Sequence, residues 1–349
     1  MNPPLVEGPP DILIKFLSDA SVAGGSVKGI LSRRRFTSED LTVELKCKEE
    51  VGWSETTTFS VQGFTQTYVQ HLRGESDILS YKLAIPSLEV DHGSEEVPFE
   101  LQLPPGIPRS SKHVKYTLSV LSDHRPVSEP ITFIVHSKSP IPSRLVAGNE
   151  GAVKFALCCN RGDIKFKFLL DKSEYSPGET INISASLQNH SKEGIRSIEM
   201  ILRRVEILYS NDGFSKRAES VVNRQTQAWT ASNLQYQTPP DLEECCLGYN
   251  YQLFHTLELH LITERGSTPK CIVPIFICID ANVPMQSSTE PKFIIHVPPP
   301  ERVRPFDLKQ FPNVRRFAPE LNRSESKLSR SWTNLKSFIK TGSRIFSKN

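Results

Sequence analysis

Apolar and polar side chains alternate with period two along short stretches of this chain, and Pro, Gly and Ser separate the stretches. That is the pattern of strands buried on one face. Residues 41–48 place Leu41, Val43, Leu45 and Cys47 on one face. Residues 97–103 repeat the pattern until Pro104 and Pro105 stop it, because proline cannot donate to a sheet ladder. Further strands are expected at 11–17, 27–31, 77–83, 115–121 and 131–136, with a glycine turn at Gly24-Gly25 and a Thr- and aromatic-rich run at 57–69. The first half therefore predicts seven or eight short strands and no long helix.

A proline-punctuated break, Ser139-Pro140-Ile141-Pro142, sets the end of this unit between about 138 and 153. The pattern then restarts at 152–158 and at 163–170, where Ile164, Phe166 and Phe168 alternate with lysines. Ser176-Pro177-Gly178 makes a turn before the alternating run 180–187, and longer runs follow at 195–209, 216–229, 249–263 and 271–279. A short last strand at 292–297 is expected to close the second sheet. Beyond about 300 the text is polar and proline-rich, with little patterned apolar surface to repay ordering. The fold class expected is all-β, with two tandem immunoglobulin-like β-sandwich domains. The divisions are an N-terminal extension (1–10), a first sandwich (11–145), a second sandwich (152–298) and a tail (299–349).

Composition agrees with this reading. With 26 Pro, 18 Gly and 38% hydrophobic residues in 349, the chain has enough apolar material for two cores and too many breakers for a helical bundle. No run of about 18 residues is free of charged and polar groups, as a membrane span would need, and the opening Met1-Asn2-Pro3-Pro4 lacks a secretion signal, so the expected compartment is the cytosol. The seven Cys are odd in number and never spaced Cys-x-x-Cys, which points to buried thiols rather than disulfides or metal ligands. The net charge of +3 gives no reason to expect nucleic acid as a partner. Almost all of the imbalance sits in residues 321–349, where seven Lys or Arg face one Glu.

The landmarks, taken in order, resemble the arrestin family, nearer its α-arrestin (arrestin-domain-containing) branch. They are Gly24-Gly25 with Val27-Lys28-Gly29, the run from Val97 to Pro104 with Pro108 and Ser110-Ser111 behind it, and Val114 to Val120. In the second half they are Gly162-Asp163-Ile164, Tyr175-Ser176-Pro177-Gly178-Glu179 and Leu187-Gln188-Asn189-His190-Ser191. The resemblance implies two arrestin-like sandwiches and a non-enzymatic adaptor that links membrane receptors or transporters, through their cytoplasmic segments, to trafficking, ubiquitination or signalling machinery. It also implies peripheral association with the plasma membrane or endosomes. Family members resembling this one often bind ubiquitin ligases through Pro-Pro-x-Tyr. Here Pro298-Pro299-Pro300-Glu301 lacks the tyrosine. The competing reading is a retromer-subunit-like structural component of an endosomal sorting complex.

No catalytic motif, metal-ligand spacing or phosphate loop emerges, so neither an enzyme nor a cofactor is expected. Two candidate binding features remain. Arg33-Arg34-Arg35 is either a solvated connection or a patch for phosphate or acidic peptides. In the tail, Leu328, Trp332, Leu335, Ile339 and Phe346 fall near one helical face, while Lys336, Lys340 and Arg344 supply charge elsewhere. Such a segment suits an anionic membrane surface, each basic residue adding roughly 1 kcal/mol near it. The other readings are a plain solvated tail and a nuclear-targeting or RNA-binding segment.

Overall fold

The computed structural model describes residues 12–17, 20–33, 41–61, 64–85, 95–122, 124–136, 145–155, 159–229, 233–264, 270–279, 293–300, 302–311 and 314–316. Among these residues the alternating stretches form strands in four sheets, an all-β arrangement consistent with the sandwich expectation. The first sheet runs β1 (Ile12–Phe16), β3 (Ser26–Arg33), β6 (Glu95–Gln102), β20 (Phe293–His296). The second runs β2 (Ala20–Val22), β9 (Ile131–His136), β7 (Val114–Ser122), β4 (Leu41–Val61), β5 (Phe64–Ala84), with β8 (Arg125–Pro126) beside β7.

The third sheet runs β16 (Asn233–Gln237), β13 (Thr180–Asn189), β11 (Cys159–Leu170), β10 (Leu145–Phe155), β21 (Val314–Arg316). The fourth runs β12 (Glu174–Tyr175), β19 (Lys270–Ile277), β18 (Tyr251–Thr263), β14 (Ile195–Tyr209), β15 (Ser215–Ala228), with β17 (Cys246–Leu247) beside β18.

The period-two faces become the cores. Leu41, Val43, Leu45 and Cys47 are all buried, and with Ile14, Val27 and Phe99 from the first sheet they build one apolar cluster. Ile164, Phe166 and Phe168 face Ile198, Met200 and Leu202 in the other. The turn before β13 forms as its residues dictate: Gly178 takes φ +79° and Glu179 N–H donates to Ser176 O at 3.1 Å.

Four expectations need correction. The stretch 292–297 does not close the second half's sheet. β20 instead lies parallel to β6, Phe293 opposite Phe99 and His296 opposite Gln102, because Ile295 and Val297 complete the first core. The second half's strands begin at Leu145, earlier than 152.

Residues 302–311 are an ordered strap across the fourth sheet rather than a free extension. Phe306 sets its ring edge-on to Phe254 and Phe276, at 4.9 and 5.0 Å between centroids, and stacks on Phe311. Ahead of it, the Arg304 guanidinium lies 3.9 Å from the Tyr209 ring centroid and 4.9 Å from that of Tyr249, and its Nε donates to Tyr249 O. β21 then pairs with the edge strand β10. Two isolated aromatics thus repay the ordering that the polar text around them does not. We expect Phe306→Ala to cost about 2 kcal/mol, read as a lower urea midpoint with an unchanged slope.

Finally, the separate runs expected over 41–83 are one long hairpin. β4 and β5 each span 21 residues, paired from Thr42↔Ala84 to Val61↔Phe64. Only the inner half of this hairpin packs on the core.

Candidate functional site: a polar joint between the two cores

The inward face of β4 does not end at Cys47. The same period brings Glu49 to that face, and it is fully buried. Its partners come from the start of β18, some 200 residues away. The Asn250 N–H donates to Glu49 Oε2 at 2.6 Å and the Tyr251 N–H donates to Oε1 at 2.8 Å. Ser76 of β5 donates to Asn250 Oδ1 at 2.6 Å and lies 3.3 Å from Glu49 Oε2. Asn250 Nδ2 donates in turn to Tyr209 O at 3.0 Å. Burial pushes the Glu49 carboxyl above its ordinary value of 4.5, against the lowering effect of these hydrogen bonds.

Two glycines make room for the contact. A Cβ on Gly74 would run into the carbonyl oxygen of Tyr209, and one on Gly248 into the Glu49 carboxylate. The backbones are also bonded directly, Asn211 N–H donating to Arg73 O at 3.1 Å.

Ion pairs flank the buried centre. Arg109, in the loop after β6, reaches Glu243 at 2.6 Å, and Arg204 of β14 reaches the same carboxylate at 3.1 Å. His136 at the end of β9 lies 3.0 and 3.1 Å from the two oxygens of Glu244, which also accepts the Ile279 N–H. Tyr251 closes the apolar side, its ring 4.6 Å from that of His113. The joint therefore combines hydrogen-bonded, ionic and aromatic contacts, and those of Glu49, Ser76, Arg109, His113 and His136 join the first 136 residues to those after 200.

One thiol and one imidazole meet nearby, Cys245 Sγ lying 3.7 Å from His255 Nδ1. Burial pushes the thiol up to about 12, and burial together with Arg204 and Arg109 pulls the imidazole down to about 3. Both are neutral at physiological pH, so the pair lacks the thiolate that a cysteine nucleophile requires. Cys47, Cys245, Cys246, Cys271 and Cys278 are buried free thiols. Among the described residues no group of three or more His, Cys, Asp or Glu is placed to hold a metal ion, and no helix is long and apolar enough to cross a membrane.

The arginine run is only partly within the described residues. Arg33 ends β3 opposite Ile12 and Glu95 in the backbone register. Arg34 and Arg35 lie outside the described residues, as do the tail positions Leu328, Trp332, Leu335, Lys336, Ile339, Lys340, Arg344 and Phe346. The joint itself was not anticipated from the sequence, although a signal exists: Glu49 continues the inward series of Leu41, Val43, Leu45 and Cys47, where a charge is unexpected.

The described chain is thus an all-β scaffold of two cores fastened by a buried polar contact. Residues 160–282 match the family model of the arrestin (or S-antigen) C-terminal domain. The match gives this stretch, about a third of the chain, a general likeness to the arrestin family. No curated protein matches the chain.

Proposed function

We propose that this protein is an adaptor of the α-arrestin branch, built from two tandem immunoglobulin-like sandwiches. In this reading the first is made by residues 11–145 together with β20, and the second by the strands from β10 onward. It binds cytoplasmic segments of membrane receptors or transporters and brings them to trafficking or ubiquitination machinery, working in the cytoplasm and at the face of the plasma membrane or endosomes. The observation that carries this is the joint: the arrestin-matched second half is fastened to the first through Glu49 and its two backbone donors. A rigidly joined pair of sandwiches presents a single preformed surface to a partner, which reduces the ordering cost of binding.

Two sequence features supply further contacts. Arg33, Arg34 and Arg35 form a patch for acidic or phosphorylated peptide segments. The tail, through Leu328, Trp332, Leu335, Ile339 and Phe346 with Lys336, Lys340 and Arg344, rests on an anionic membrane. Ligase recruitment has no Pro-Pro-x-Tyr route here, so it runs through another surface.

Proximity labelling in cells, with the whole chain and with a chain lacking 321–349, tests the proposal. The whole chain should label membrane proteins and trafficking components, and the shortened one should lose most of the membrane-associated set. Unchanged neighbours and an unchanged membrane fraction would refute the role of the tail. Labelling confined to one fixed set of complex subunits would favour the retromer-like reading.

A further inference from the structure

The outer half of the β4–β5 hairpin projects from the first core as a two-stranded ribbon. From residue 56 to residue 72 it holds no Asp, Glu, Lys or Arg, in a chain that is 23% charged overall. About four charges would be expected by that average. Register and alternation divide its side chains between two faces. Trp53 and Leu72, an opposed pair, are buried at the base of one face. Following that face outward, the pairs are Glu55↔Gln70, Thr57↔Tyr68, Phe59↔Gln66 and Val61↔Phe64. Tyr68, Phe59 and Phe64 thus continue the core-facing stripe past the end of the core, and they are 59%, 45% and 76% exposed. The opposite face carries Ser54, Thr56, Thr58, Ser60, Thr65 and Thr67, with Val69 and His71 nearer its base.

An exposed strand pair normally guards itself with charges or prolines, and this one has neither over its outer half. Its apolar face is therefore open to a partner. The strip is about 10 Å wide and about 17 Å long, taking five residues at the usual rise and strand spacing. That is on the order of 170 Å², far below the roughly 800 Å² per partner of a stable protein interface. The outer half also lacks the ionic groups that fix register and choose a partner between proteins. A lipid surface demands neither area nor register, accepts aromatic side chains at its boundary, and tolerates the hydroxyl face among its headgroups. An uncharged ribbon also does not oppose the basic tail at an anionic bilayer.

We propose that this ribbon docks on a lipid bilayer, laying Tyr68, Phe59 and Phe64 into the headgroup boundary. The inference rests on the membrane-side adaptor reading, and adds to it a second membrane contact located in the first sandwich.

The test uses the full chain with phosphatidylcholine vesicles, with and without 20% phosphatidylserine, by co-sedimentation. Two variants are compared: Phe59→Ser with Phe64→Ser and Tyr68→Ser, and Lys336→Gln with Lys340→Gln and Arg344→Gln. The ribbon variant, altered only at exposed side chains, should keep its thermal midpoint and lose at least tenfold in partitioning to both vesicles. The tail variant should lose binding only to the anionic ones. If the ribbon variant partitions like the parent while the tail variant detaches, the ribbon proposal is overturned and the tail reading stands. If the tail variant is unaffected while the ribbon variant detaches, the ribbon stands and the tail reading falls. Ribbon-dependent self-association by sedimentation velocity, without vesicle binding, would assign the face to a second copy and overturn the proposal.

Discussion

Gly74→Ala is expected to destabilise the protein by about 3 kcal/mol, the upper part of the range for forcing atoms into a filled site, and to lower its melting midpoint by roughly 5 °C. The new methyl would meet the Tyr209 carbonyl oxygen, and would also sit 2.8 Å from both Asn250 Nδ2 and Val51 Cγ2. The Tyr209 carbonyl ends β14 and is held by Asn250, whose Nδ2 donates to it while Asn250 O accepts the Tyr209 N–H, so the two bodies must separate locally to admit the methyl. Gly248→Ala should act similarly by displacing the Glu49 carboxylate from Asn250 and Tyr251. Gly52 provides the control. It lies on the same strand as Glu49, and its nearest atom is Leu72 O at 3.7 Å, an ordinary contact. Gly52→Ala should therefore be neutral or slightly stabilising. Differential scanning calorimetry of the three variants decides the matter: equal effects at 52, 74 and 248 would mean that the joint is not closely packed.

Glu49→Ala should cost a similar amount by a different route. It leaves two buried backbone N–H groups without acceptors, at about 1–3 kcal/mol each, so a total near 3 kcal/mol is expected after partial relaxation. Glu49→Gln keeps one acceptor oxygen and should lose about half as much. The pH dependence separates the carboxylate from its shape. Because burial raises the Glu49 carboxyl above 4.5, the folded chain holds a proton in a window where the unfolded chain has released it. The contribution of Glu49 is therefore complete below the ordinary carboxylate value and declines as pH rises through the raised one. Urea midpoints of parent and Glu49→Gln between pH 4 and 7 should converge as pH rises through that window, the parent being favoured on the acid side. Comparison with Gln cancels the opposite slope of carboxylates held low by cations, such as Glu206 beside Arg204. Parallel pH curves for parent and variant would show that Glu49 does not titrate in this range.

Much of the strand layout was legible because burial on one face imposes a period that sequence carries directly. The runs at 41–48, 97–103, 164–170 and 180–187 reappear in strands with most of their apolar residues buried, Leu187 only partly. Features set by partners distant in sequence were not legible. Phe293–His296 has an ordinary strand composition, and nothing within it says that its neighbour is β6 rather than a strand of the second half. Phe306 and Phe311 have no periodic context, so their burial depends on a surface built by β18 and β19. The outer ribbon was read as a separate Thr-rich run because its pairing is fixed by continuity of the hairpin, not by a core. Glu49 was the recoverable case, a carboxylate falling on an otherwise apolar period.

The path of the chain after residue 292 has a mechanical consequence. β20 is bonded into the first body, the strap is anchored on the second, and β21 is bonded to β10 at that body's edge. Tension arriving from the C-terminal side meets these attachments in series, β21 first, then Phe306 with Arg304, and only afterwards β20. Because β20 lies alongside β6, a pull along the strand axis shears all of their shared hydrogen bonds at once rather than peeling them one by one. A tether at the tail would thus shed load at the second body before any force reached the first.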